Sequence, residues 1–134
     1  MRKATEMLRG VGAVLAGYLV IVAGTILTFE VLLGGISYLE SSPLELAVAT
    51  VGACLTGLLG GVTAAFLAAR KPLLHAIGVL VPLAADTVFV LMSELSTDPL
   101  WFDLAGSLTL MLTTIAGGVL LARRAEGPGP RAAV

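Results

Sequence analysis

Cysteine is nearly absent from this chain. Only Cys54 occurs, within an apolar segment, so no intrachain disulfide and no thiolate metal cluster can form, and the redox compartment is not readable. Charge is also scarce. Of 134 residues, 13% are Asp, Glu, Lys or Arg and 57% are hydrophobic. With a mean hydropathy of +1.01, the chain lies outside the composition of soluble globular domains. The sparse basic residues form no patch for nucleic acid. No HExxH, GxSxG or GxGD motif occurs, and the glycine pair before Thr63 lacks the lysine of a phosphate loop. The expectation is a non-enzymatic protein without cofactor or metal.

Long apolar runs are what the chain does have. Four of them, 10–38, 46–69, 73–95 and 104–122, can cross a hydrocarbon core, which takes about 20 helical residues. Backbone polar groups must be satisfied internally in lipid, so each run is read as a helix. The charged start "MRKATEMLR" resembles that of a signal peptide, but the run after it is too long and lacks a clear cleavage site, so it is kept as a span. The expected fold is all-α, a polytopic four-helix transmembrane bundle over residues 1–122, with residues 123–134 ("RRAEGPGPRAAV") as a disordered cytoplasmic tail.

The basic residues set the orientation. Arg2, Lys3 and Arg9, then Arg70 and Lys71, then Arg123, Arg124 and Arg131 all lie an even number of crossings apart. The loops "SYLESSPLE" and "SELSTDPLWFD" carry only acids. Both termini are therefore expected in the cytoplasm, and the one-sided charge disfavours a dual-topology dimer. Tyr38, Trp101 and Phe102 fall at the outer boundary as interfacial anchors or a partner contact.

A shift of 56 positions lays Glu30 on Asp86, Ser37 on Ser93, Pro43 on Pro99 and Leu44 on Leu100; one residue more lays Gly60-Gly61 on Gly117-Gly118. The chain reads as two parallel helix-hairpin repeats, with Glu30 and Asp86 at matched depth. At roughly 100° per residue, Asp86 shares a stripe with His75, Gly78, Pro82, Phe89 and Ser93, and Glu30 one with Gly12, Ala16, Ala23, Gly34 and Ser37. Both stripes are rich in small residues, which let helices approach closely, so both carboxyls are expected to face protein. Span two adds Gly52, Gly57, Gly60 and Gly61, span four Gly117 and Gly118, and span one a second small face of Gly10, Gly17 and Gly24. Pro82 cannot donate to Gly78 and is expected to kink span three.

A carboxylate within a span is costly unless paired or wet, and no Lys or Arg of this chain reaches Glu30 or Asp86. Three solutions stay open. The carboxyls are neutral and hydrogen-bonded, Asp86 to Thr113 or Glu30, within a polar layer that includes Cys54, Thr113 and Thr114. They bind a proton or cation in turnover. Or a donor comes from another polypeptide. His75 is read as solvating a helix start rather than ligating a haem or chlorin, and Cys54 as a small packing residue.

"GGVTAAFLAARKPLLHAIGVL", followed by "DPLWFDLAG" and "GGVLLARR", resembles small four-span membrane proteins of bacteria to which no activity is attached. The resemblance covers about three quarters of the chain and rests on small and apolar residues. It implies the bacterial inner membrane and transfers no activity. The expected partners are the lipid bilayer and other membrane subunits or further copies of the chain. The expected role is a structural or accessory subunit; a small proton- or cation-coupled transporter or channel using Glu30 and Asp86 is the alternative.

Overall fold

The computed structural model describes residues 2–68, 70–93 and 96–125. Among these every regular element is helical: α1 (Arg2–Thr25), running on as a π-helical segment (Ile26–Leu32), α2 (Pro43–Leu67), α3 (Pro72–Gly78), α4 (Leu80–Met92) and α5 (Leu100–Ala125). Four stretches, Ala4–Leu32, Pro43–Leu67, Pro72–Met92 and Leu100–Ala125, are long and apolar enough to cross a membrane. Large side chains such as Met92 (80% exposed), Leu44 (74%) and Phe66 (73%) cover the outside. Exposed apolar surface of this extent is of the kind that marks contact with lipid or with other proteins.

The helix ends differ from the expected spans, each for a local reason. The first helix stops at Leu32 rather than Tyr38, because Gly34 (φ +70) and Gly35 (φ +105) turn the chain through left-handed backbone, and the Gly35 N–H closes the end on the Phe29 carbonyl at 2.7 Å. Hydropathy cannot register that stop, since the residues around it are still apolar. The second helix starts at Pro43, three residues early. Ser42 caps it, with the Glu45 N–H donating to Ser42 Oγ (3.3 Å) and the Ser42 N–H to Glu45 Oε2 (2.7 Å), a capping box with proline at the first helical position. The last helix runs from Leu100 to Ala125, with Asp103 in its first turn and Arg123 and Arg124 in its last, charges that complement the helix dipole. Arg123 to Ala125, expected in the tail, are thus helical. The rest of that tail, residues 126–134, and the expected span ends at Ala69 and Leu95 lie outside the described residues.

The third span is two helices, α3 and α4, broken at Val79. Pro82 has no N–H to give Gly78; instead the Val79 N–H reaches the His75 and Ala76 carbonyls at 3.2 Å each, and Leu83 reaches Val79 at 3.3 Å.

Helix α2 lies at the centre, packed on α5 along one side and α1 along the other; α3 bears on α5 and α2, and α4 chiefly on α5. Small residues set these approaches. A Cβ at Gly57 or Gly61 would collide with Thr113 or the Thr114 backbone, and one at Gly117 with the Leu58 carbonyl. Gly52 lies against Thr28, Gly60 against Ile21 and Gly17, and Gly118 against Ala76 and Leu73. The core of Ile21, Ala64, Val79 and Leu83 is joined by Val14, Tyr18, Leu110 and Met111.

All basic residues within the described helices and turns fall at one end of the bundle, where α1 begins, α2 passes to α3 and α5 ends. At this basic end Arg9 Nε donates to the Leu67 carbonyl (3.2 Å), closing the carboxyl end of α2 with a cation. The opposite, acidic end carries the loops after Leu32 and after Met92.

Candidate functional site

Leu83, Asp86, Thr87, Val90 and Leu91 turn toward α1 and α5 and line a half-open cleft of about 170 Å³ in the acidic half of the bundle. Phe89 and Ser93, expected on the stripe of Asp86, instead line a shallow groove on the far side of α4 with Ala84, Ala85, Val88 and Met92. Phe89 lies on the same α4 as Asp86, about 60° round from it, and Ser93 caps that helix, so the cleft takes in only one edge of the stripe.

Tyr18, from α1, donates its hydroxyl to Asp86 Oδ2 at 2.5 Å. The separation is at the short end of the range for O–H···O hydrogen bonds. The Tyr18 ring rests on the core cluster, so a rigid support aims the hydroxyl. Helices α1 and α4 otherwise touch little, and this bond is the polar tie across their seam.

The cleft opens beside that tie. Ile21, Val22 and Thr25 of α1 form one wall, α4 the other, and Leu110, Ser107 and Asp103 of α5 the floor. Two carboxylates on different helices therefore share one cavity, with three hydroxyls and an aliphatic lining. Thr25 Oγ1 donates to the Ile21 and Val22 carbonyls (2.9 Å each) and Thr87 Oγ1 to Leu83 (2.8 Å); their hydrogens are committed and their oxygens remain as acceptors. Among the described residues no Lys or Arg lines the cleft. Acceptors and negative charge dominate it, so it suits a cationic donor.

Three of the other expected site residues lie elsewhere. Glu30 is exposed and outside the cleft. It sits in the π-helical segment that prolongs α1. Its expected stripe faces outward as well: Gly12 and Ala23 are exposed, and a Cβ at Gly12 would meet nothing within 4 Å. The second small face turns inward instead, Gly10 against His75, Gly17 against Gly60 and Ala64, Gly24 against Thr56. Thr113 donates to its own helix at the Thr109 carbonyl (2.7 Å) and packs on Gly57; Thr114, fully buried, donates to Leu110 (2.7 Å) and packs on Gly61. Neither reaches Asp86, so the expected partner of Asp86, Thr113 or Glu30, is corrected to Tyr18. A polar-tipped ring in mid-span has to find a partner, and that was the available signal. Asp103 was hidden by the late start given to the fourth span.

At the acidic end Tyr38, Trp101 and Phe102 form one cluster, with centroids 4.7 Å (Tyr38 to Trp101), 5.5 Å (Tyr38 to Phe102) and 5.9 Å (Trp101 to Phe102) apart. Asp98 Oδ1 accepts from Ser37 Oγ (2.8 Å) and the Tyr38 N–H (2.9 Å). The loop after α1 is thereby stitched to the loop before α5. At the basic end the His75 ring lies over Gly10, its Nδ1 paired with the Lys71 carbonyl at 3.1 Å. Cys54 is a half-buried free thiol. Among the described residues no three His, Cys, Asp or Glu side chains group as metal ligands.

Comparison of the chain with protein families, curated proteins and solved structures finds no match. The chemistry of the cleft therefore rests on its own geometry.

Proposed function

We propose that this chain is a non-enzymatic integral membrane protein that serves as a structural or accessory subunit of a larger membrane assembly. One observation carries the reading: Asp86 and Asp103 share a cleft that no Lys or Arg lines among the described residues. A carboxylate within a span is costly unless paired or wet, and a neighbouring polypeptide that supplies a donor would pair it.

The gathering of basic residues at one end supports a bilayer orientation with both termini in the cytoplasm of a bacterial cell. Hairpin duplication rests on the sequence offset of 56 alone, which lays Pro43 on Pro99 and Leu44 on Leu100. Purification in a gentle detergent tests the assignment: a partner polypeptide should be recovered in fixed ratio, and a homogeneous particle of this chain alone refutes it.

The second reading, a small proton- or cation-coupled transporter working as an oligomer, is favoured by the two carboxylates and three hydroxyls on one cleft, with Asp103 in the place first given to Glu30. In proteoliposomes, Asp86→Asn should then fold normally and lose pH-linked flux; unchanged flux sinks this reading.

A further inference from the structure

We infer that the cleft between α1, α4 and α5 is a socket for one basic side chain, Lys or Arg, carried on a membrane helix of a different polypeptide. The inference rests on the subunit reading and specifies the chemistry of the partner.

Volume decides against a whole small-molecule substrate. About 170 Å³ is well below the roughly 300–1,000 Å³ of drug-sized ligand pockets, yet it suits one long side chain. Lining chemistry decides the type. A basic residue lays an apolar stem along aliphatic walls while its charged head seeks polar groups; Val22, Leu83 and Leu110 offer the walls, and Asp86, Asp103 and Ser107 the polar groups. Tyr18 occupies Oδ2 of Asp86, so Oδ1 is the oxygen left for an incoming donor. A guanidinium, with five N–H groups in a planar fork, can serve two carboxylates at once.

Charge position decides the source. Every Lys and Arg in the described structure lies at the basic end, away from the cleft. A second copy packed in parallel brings its cations to that same end, so a different chain has to supply this one.

The test has two arms. The full chain in lipid nanodiscs is titrated calorimetrically with n-butylguanidinium and with its neutral isostere n-butylurea. Saturable binding of the cation alone is expected, weakened at least about tenfold in Asp86→Asn and in Asp103→Asn, as for one lost charge-assisted hydrogen bond. Asp86→Asn keeps an acceptor for Tyr18, and Asp103 lies in the first turn of α5, so at least one variant preserves the fold; circular dichroism checks both. Equal binding of the urea, or unaltered binding in both variants, overturns the inference.

In native membranes a photoreactive residue replaces Leu91. An adduct with another polypeptide, lost in Asp86→Asn and displaced by n-butylguanidinium, supports the socket. An adduct only with lipid or with a second copy, or one indifferent to Asp86→Asn, overturns it. If a stoichiometric partner is still recovered from the Asp86→Asn, Asp103→Asn double variant, the socket fails and the subunit reading stands. If purification recovers this chain alone, both fail.

Discussion

Gly17 and Gly12 lie about 1.4 turns apart on α1, and the structure gives them opposite fates. A Cβ on Gly17 would sit 2.7 Å from the Gly60 carbonyl oxygen, 2.8 Å from Ala64 Cβ and 3.1 Å from Val79 Cγ2. Ordinary contact begins near 3.4 Å, so α1 and α2 must part by about 0.7 Å, and the obstructing oxygen belongs to backbone that cannot swing aside. Inserting one methyl into a packed contact of this kind costs about 1–3 kcal/mol. The same methyl at Gly12 meets nothing within 4 Å. Both substitutions gain helix propensity, up to about 1 kcal/mol for Gly→Ala, so the gain cancels in their difference. Gly17→Ala should therefore be less stable than Gly12→Ala by about 1–3 kcal/mol, a factor of roughly 5 to 150 in the folding constant. Unfolding by graded addition of SDS to mixed micelles, followed by circular dichroism, measures both. The reasoning is refuted if Gly12→Ala is as destabilising as Gly17→Ala, because the Gly12 face would then be the one that packs.

Three further outcomes follow from single contacts. Tyr18→Phe removes the hydroxyl bonded to Asp86 and should destabilise by about 0.6 kcal/mol, up to about 1.7, the range measured for hydrogen bonds between membrane helices; in the Asp86→Leu background the same change should cost nothing, and an undiminished cost there rules out this pairing. Ser42→Ala deletes the cap of α2 and should cost about 1 kcal/mol, with Ser42→Gly much milder; equal costs for the two would exclude capping as the cause. Asp98→Ala cuts the bonds to Ser37 and Tyr38, so amide exchange across residues 37–41 should quicken at least about tenfold, which mass spectrometry reads directly; unchanged exchange would mean that the aromatic cluster alone holds the two loops.

The helices were legible because their signals are local. An apolar run of about 20 residues leaves the backbone little alternative to hydrogen-bonding with itself, and Pro82 removes a bond whichever way its helix faces, so the break at Val79 was readable as a kink. The helix ends were less legible. Gly34 and Gly35 stop a helix through their backbone angles, Ser42 and Glu45 start one through a side-chain exchange, and neither device changes hydropathy.

The candidate site was half legible. Asp86 stood out because a carboxylate in an apolar run is costly wherever it points. Its partner did not, because Tyr18 lies 68 positions away and bears no sequence relation to it. Glu30 looked equivalent at an offset of 56, but its stripe, with Gly12 and Ala23, is the face of the first helix that turns outward.

What the sequence determined by itself was therefore the four long apolar helical stretches and the segregation of basic residues to one end, both consequences of composition along a line. Only the tertiary structure decided which small-residue face of α1 turns inward, because a helix apolar all round has no hydropathic face to read. Gly10, Gly17 and Gly24 won over Gly12, Ala16 and Ala23 because α2 and α3 present Gly60, Thr56 and His75 where a missing side chain allows close approach. That choice of face turned Tyr18 toward Asp86 and left Asp86 and Asp103 to share one cleft.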